Sequence, residues 1–167
     1  KQHASGLKQL NSRGFCSTEL FSSNVRFRSV DMRQIPADLI GFDFLWSSCA
    51  LEHLGSLSAG TDFVKRAIEC LRPGGIAVHT TELNVDSDSA TLKSGRDVVY
   101  RRCDLLELAS EMSALGHTVE AFDFDTGNTD ADQYVDEPPY GGKFHLKLRI
   151  GNFASTSYGL IMTRGLH

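Results

Sequence analysis

Apolar and polar residues are most clearly patterned between Phe42 and Glu82. The apolar run Phe42–Trp46 predicts a strand that is covered on both faces, as in a parallel sheet. A polar turn, Ser47–Cys49, follows, and apolar positions from about Ser58 to Leu71 have the spacing of an amphipathic helix. A second apolar run, Gly75–Thr81, predicts the next strand. This order indicates two parallel strands joined by a right-handed crossover.

Two further elements are predicted before this unit. Spaced leucines indicate a short helix within His3–Arg13, which Gly14 ends. Val25–Val30 alternates between apolar and polar residues and predicts a strand, and Asp31 and Met32 lie in the loop after it.

The second half of the chain continues the alternation of helix and strand. Asp104–Leu115 predicts a helix with Asp104 as its N-terminal cap and Gly116 as its end. Polar, turn-forming residues at 84–98 and 125–143 predict flexible loops. Strand patterns are found at Thr118–Phe124, Phe144–Ile150 and Ser157–Thr163. We therefore expect residues 1–167 to form one domain, an open α/β sheet with an antiparallel strand near its C-terminal end.

Composition narrows the classes of function. Apolar residues make up 41% of the 167 residues, and the net charge of −4 comes without a basic cluster, which argues against nucleic acid as a partner. No apolar run approaches the ~18 residues of a membrane span. The four cysteines are scattered and contain no CxxC pair, so we predict reduced thiols in a cytoplasmic protein.

Candidate site residues follow from the predicted sheet. Ligands of open α/β sheets bind outside the carboxyl ends of the strands. The residues that reach this edge are Asp31 and Met32, the segment Ser47–Glu52, and the segment His79–Glu82.

Three short motifs together resemble class I S-adenosylmethionine-dependent methyltransferases, in particular bacterial proteins of the type-11 kind. They are Leu71-Arg72-Pro73-Gly74-Gly75 before a strand, Glu52-His53-Leu54 after one, and Val30-Asp31-Met32. The resemblance implies an α/β fold with a truncated Rossmann-like sheet. That sheet would be mostly parallel, with an antiparallel C-terminal strand and helices on both faces.

One part of the family pattern is missing from the sequence. The family begins with a strand that ends in a glycine-rich loop, whose backbone N–H groups approach the cofactor. By the resemblance, Lys1 follows the second strand, so an N-terminal strand–helix–strand is absent. We expect Phe42–Trp46 to become an exposed edge. Either Val25–Val30 pairs with it in a remodelled sheet, or a homo-oligomer forms through it.

The resemblance also implies roles for particular residues. Asp31 and Met32 would contact the adenine of S-adenosylmethionine, and Ser47 would lie with Cys49 and His53 beside the methyl-transfer centre.

Independently of the resemblance, each candidate site residue has a structural alternative. The pair Glu52-His53 could supply a general base, or it could be a partly solvated pair at the start of a helix. Asp31 could equally be a turn residue, and Cys49 either a nucleophile or a small buried thiol.

Metal binding is not predicted. His79 and Glu82 could form a site with Glu52, His53, His117 or His145, but no histidine pair has the HxH or HxxxH spacing of a metal site. The acidic residues of the segment 125–143 lack the glycine and terminal glutamate of a calcium loop.

Two functions from different classes are consistent with these observations. We expect a methyltransferase-derived domain that does not bind S-adenosylmethionine on its own and is non-catalytic. The alternative is an S-adenosylmethionine-dependent methyltransferase of a small-molecule or carbohydrate-type acceptor, whose cofactor site is completed by a partner chain or by N-terminal sequence. A binder of another small molecule in the strand-end crevice is a third possibility.

Overall fold

Six strands form one sheet in the computed structural model, which describes residues 4–141 and 144–166. They are β1 (Phe42–Ser47), β2 (Leu71–Asn84), β3 (Thr118–Val119), β4 (Val135–Asp136), β5 (Lys147–Ile150) and β6 (Phe153–Thr163). The order is β1-β2-β6-β5-β4, with β3 paired to β6. Only β6 runs against the other five strands, so the predicted α/β sheet and its antiparallel C-terminal strand are confirmed.

Helices precede and connect these strands. The α-helices are α1 (Leu7–Leu10), α2 (Thr18–Asn24), α3 (Leu57–Ala67), α4 (Arg102–Ala114) and α5 (Asp130–Gln133), and two short 3₁₀ helices span Leu51–His53 and Ile68–Cys70. No helix in the described part of the chain combines the length and the apolar character needed to cross a membrane.

The predicted crossover unit is present as β1–α3–β2. The two strands pair in parallel, with Phe44 opposite Ile76. Strand β2 begins four residues earlier than the sequence suggests, because the Pro73-Gly74-Gly75 turn is itself part of the strand as an irregularity. Gly74 has a φ of 77°, which favours glycine, and its N–H donates to the carbonyl of Arg164 (3.0 Å).

The core lies between one face of the sheet and helices α3 and α4. Val64 of α3 and Leu105 of α4 are fully buried, as is Leu160 of β6. Tyr100, just before α4, is also buried, and its hydroxyl donates to the carbonyl of Leu57 (3.1 Å). The prediction of α4 is confirmed except at its first turn. Asp104 is the third helical residue, and its carboxylate accepts from the backbone N–H of Arg101 (2.8 Å).

The predicted strand Val25–Val30 is wrong. Helix α2 occupies the residues before it, capped by the hydroxyl of Ser17, which accepts from the N–H of Leu20 (3.2 Å). Arg26 bonds back to the carbonyl of Ser22 (2.9 Å), so the segment is held to α2 instead of to a sheet. The remodelled sheet is therefore also wrong, and β2 is the one strand paired with β1 among the described residues.

The other predicted helices and strands keep their type but change in extent, whereas one predicted loop contains a helix and a strand. The first helix is limited to α1, and His3 lies outside the described residues. The strand predicted at Thr118–Phe124 shortens to β3, the loop 125–143 contains α5 and β4, and the last two strands are β5 and the longer β6.

The face of the sheet opposite the core is apolar and exposed. Side chains of residues directly opposite each other on neighbouring strands share a face of the sheet. Phe44 lies opposite Ile76. Trp46 lies opposite Val78, which in turn lies opposite Ile161. Trp46 is 69% exposed, and Phe44, Ile76 and Ile161 are exposed as well. The open edge of β1 thus borders an apolar surface, which fits the edge expected from the sequence. The prediction that Phe42–Trp46 is covered on both faces is wrong, because Phe44 and Trp46 are exposed on this face.

Helix α3 provides a first prediction for stability. Ser56 caps it, since its hydroxyl accepts from the N–H of Ala59 (3.1 Å). We expect Ser56→Ala to lower the free energy of unfolding by about 1 kcal/mol, because one N–H of the first turn loses its partner. Urea denaturation measures this effect. The matched control is Ser110→Ala on the exposed side of α4, and an equal loss in both variants would contradict a capping role.

Candidate functional site

A cavity of about 470 Å³ lies at the carboxyl ends of β1 and β2. This is where an open α/β sheet binds its ligands. Its lining comes from the turn after β1, the first 3₁₀ helix, the end of β2 and three later segments: Ser48, Cys49, Ala50, Glu52, His53, Glu82, Arg96, Asp97, Tyr140, Leu148 and Ile150. The structure thus brings together all three predicted catalytic residues, Cys49, Glu52 and His53.

The turn after β1 places these residues. Cys49 has a φ of 43°, a left-handed conformation that few non-glycine residues adopt. Its N–H donates to the carbonyl (3.1 Å) and the hydroxyl (3.0 Å) of Thr80, which holds the turn against β2. The 3₁₀ helix that follows then directs Glu52 inwards and leaves His53 at the cavity wall.

Two glutamates lie buried at the cavity. Glu52 is 2% exposed and Glu82 7%. The hydroxyl of Thr81 donates to Glu52 (3.2 Å), and the hydroxyls of Ser155 (2.7 Å) and Ser157 (3.4 Å) donate to Glu82. Burial raises the pKa of Glu52, and the negative charge of Glu82 adds to that effect.

His53 is the one predicted catalytic residue with a partner suited to proton transfer. Its Nδ1 lies 3.0 Å from Oδ1 of Asp97, and both side chains are partly exposed. A carboxylate that accepts from Nδ1–H leaves Nε2 with a free lone pair, which is the arrangement of a general base. The loop that carries Asp97 is fastened here, because Val98 N–H donates to the carbonyl of Glu52 (3.0 Å).

Ser47 and His79 face the core and do not line this cavity. The hydroxyl of Ser47 lies 2.8 Å from Nδ1 of His79, and the His79 ring packs edge-on against Phe63 at 5.8 Å. His79 is fully buried, and burial lowers its pKa to about 4. The cofactor role that the resemblance implies for Ser47 stays a prediction.

Asp31 and Met32 lie apart from the cavity. Arg33 donates to both carboxylate oxygens of Asp31 (3.1 and 2.9 Å), and this contact holds the Asp31 pKa below its usual range. Met32 lines a separate apolar groove of about 340 Å³ beside the open edge of β1, together with Phe44 and Trp46. Their proposed contact with adenine stays a prediction.

Sequence reasoning missed two charged residues at the cavity, Arg96 and Asp97, which lie in a segment predicted as a flexible loop. Tyr140, in the other predicted loop, also lines the cavity. Its hydroxyl donates to the carbonyl of Arg149 (2.7 Å), which ties that loop to β5. The sequence contains no local signal for Arg96 and Asp97, because a long-range bond from the N–H of Val98 to the carbonyl of Glu52 brings their loop to the cavity.

Comparison with known proteins supports the fold. No family model matches the chain, and no curated protein matches it. Among solved structures, an O-methyltransferase family protein from Burkholderia thailandensis is similar over 94% of this chain and 41% of its own, with a TM-score of 0.51 and 14% identity. The [4+2]-cyclase SpnF is similar over 70% of this chain and 38% of its own, with a TM-score of 0.50 and 21% identity.

These likenesses define the class of fold. The chain has an α/β fold like that of this O-methyltransferase family protein and of SpnF. It spans about two fifths of the length of each of these two proteins.

Proposed function

We propose that this chain supplies the acceptor-binding half of an S-adenosylmethionine-dependent methyltransferase site and is non-catalytic without a polypeptide that supplies the cofactor half. One observation carries the proposal. The strand-end cavity of a methyltransferase-like sheet contains a histidine–aspartate pair, His53 and Asp97, beside two buried glutamates. The acceptor is a small molecule with a hydroxyl or amine.

The residues at this cavity fit the acceptor better than the cofactor. In the described part of the chain, no glycine-rich turn lines the cavity, and Asp31 is held by Arg33 outside it. S-adenosylmethionine, when bound, supplies an electrophilic methyl group. His53 would accept the proton of the acceptor hydroxyl or amine at Nε2, and Asp97 would stabilise the resulting imidazolium. The cavity walls would fix the acceptor's orientation, which lowers the entropic cost of transfer.

The cofactor half would join at the open edge of β1. That edge has unpaired backbone groups, and it borders the apolar groove that contains Met32 and Trp46. A strand added beside β1 would end near the cavity, because parallel strands end at the same edge of a sheet. A homo-oligomer through the same edge stays a prediction. In that case a second copy of this chain would cover the edge of β1 in place of the added strand.

Isothermal titration calorimetry with S-adenosylmethionine and S-adenosylhomocysteine tests the proposal. We expect no binding heat from the chain alone up to millimolar ligand. Fusing a glycine-rich strand–helix–strand of a class I methyltransferase ahead of Lys1 is expected to give micromolar binding. The emission of Trp46, the single tryptophan, should then shift to shorter wavelength as the edge is covered. Micromolar binding by the chain alone would contradict its being only half of a site.

The His53→Gln variant of the fusion protein separates binding from chemistry. We expect it to keep cofactor affinity and to lose about 10²–10⁴-fold in the rate of methyl transfer, the usual contribution of a general base. The matched control is the same fusion with its glycines replaced by alanine, which should lose cofactor affinity. Unchanged transfer in His53→Gln would remove the histidine from the mechanism.

A further inference from the structure

Three side chains with metal-binding atoms converge at the floor of the cavity. The sulfur of Cys49 and carboxylate oxygens of Glu52 and Glu82 all lie within 4.8 Å of one another. They come from three different elements: the turn after β1, the first 3₁₀ helix and the end of strand β2. Zinc binds sulfur at about 2.3 Å and carboxylate oxygen at about 2.0–2.2 Å, so small side-chain movements would bring all three onto one ion.

Two buried glutamates at this point would be stabilised by a bound cation. Glu52 and Glu82 are both more than nine-tenths buried, and neither forms an ion pair with another residue of the ranges 4–141 and 144–166. The side chains that donate to them are the neutral hydroxyls of Thr81, Ser155 and Ser157. Two neighbouring buried carboxylates without an ion pair are costly, and a bound cation would lower that cost.

In the described part of the chain, no basic side chain of the cavity forms an ion pair with either glutamate. His53 is paired with Asp97, and Arg96 lines the wall. The lack of an ion pair at two buried glutamates is an observation separate from the convergence of the three ligand atoms, and it points in the same direction.

We propose that Cys49, Glu52 and Glu82 form a binding site for Zn²⁺ or a divalent metal of similar softness. A thiolate ligand selects against Mg²⁺ and Ca²⁺, whereas two carboxylates add the charge that a divalent ion requires. Three protein ligands leave a coordination position for water or a substrate oxygen. The site stands on these three side chains and does not depend on the methyltransferase proposal.

The surroundings of the sulfur agree with a ligating thiolate. Sγ of Cys49 lies 3.5 Å from the hydroxyl of Thr80, which can donate to it, and 3.6 Å from the hydroxyl of Ser157, which donates to Glu82. Hydrogen bonds of this kind orient metal ligands. Metal binding would release the thiol proton to solvent.

Titration of the chelator-treated protein with Co²⁺ tests the site, since Co²⁺ is a spectroscopic substitute for Zn²⁺. We expect one equivalent to produce the near-ultraviolet charge-transfer band of a cobalt–thiolate bond together with visible bands of a four-coordinate ion. Zn²⁺ should remove both, and Mg²⁺ should not. Absence of the charge-transfer band at millimolar Co²⁺ would overturn the proposal.

Variants identify the ligands. Cys49→Ser should lose the charge-transfer band, and Glu82→Gln should keep the band with at least tenfold weaker affinity. Cys103→Ser removes an exposed thiol of α4 and serves as the matched control, with unchanged binding expected. Circular dichroism checks that each variant is folded. If a ligand variant is unfolded, the Co²⁺ titration is repeated with Glu52→Gln. A band that survives Cys49→Ser, or is lost in Cys103→Ser, would overturn the assignment.

Discussion

Replacing Tyr100 with alanine is expected to lower the free energy of unfolding by about 3–5 kcal/mol, the range for removing a large buried aromatic side chain. Tyr100 is 1% exposed and packs in the core between α3 and α4. Its hydroxyl occupies the space that a side chain on Gly60 would need, which explains a glycine in the middle of α3.

Tyr100→Phe is the matched control, and urea denaturation measures both variants. It removes only the hydroxyl that donates to Leu57, so a loss of about 1 kcal/mol is expected. If the alanine variant lost no more than the phenylalanine variant, the ring would not be part of the core.

Acidification is expected to destabilise the protein by about 3 kcal/mol through His79 alone. Burial lowers the pKa of His79 from 6.5 to about 4 in the folded state. Between these values the unfolded chain binds the proton first, so stability falls as the pH falls, by about 1.4 kcal/mol per pH unit. The contribution is fully present above about pH 6.5 and lost as the pH falls through about 4.

The comparison with His79→Gln isolates this effect from other titrating groups. Glu52 acts in the opposite sense, because its pKa is raised in the folded state and protonation there favours folding. The stability difference between the natural chain and His79→Gln, measured by urea denaturation across this range, should therefore shift by about 3 kcal/mol. Ser47→Ala keeps the buried ring and should retain the pH dependence. A pH-independent difference would mean that His79 is not buried as described.

The crossover unit could be predicted from the sequence because its apolar runs are long and bounded by strong breaks. Phe42–Trp46 and Gly75–Thr81 are apolar, and Pro73-Gly74-Gly75 marks the transition from helix to strand. The strand-end position of Cys49, Glu52 and His53 followed from the same pattern, since the carboxyl end of a parallel strand is where its connecting loop begins.

The N-terminal region could not be predicted because its pattern is ambiguous. Val25–Val30 alternates like a strand, but alternation produces a strand only where a neighbouring strand offers backbone partners. Local hydrogen bonds stabilise a different structure here: Ser17 caps α2, and the Arg26 side chain donates back to a carbonyl of that helix. The position of Arg96 and Asp97 could not be predicted for a different reason. A long-range hydrogen bond from the N–H of Val98 to the carbonyl of Glu52 brings their loop to the cavity.

The long strand β2 limits how this protein can change in length. Its side chains alternate between the core and the opposite face, so that Ala77 and His79 are buried under the helices while Glu82 reaches the cavity. Inserting or deleting a single residue within β2 would exchange the two sets, placing a glutamate in the core and a core side chain in the site. Insertions and deletions among related sequences should therefore fall in the exposed stretch 88–90 of the loop after β2, which can lengthen without shifting this alternation.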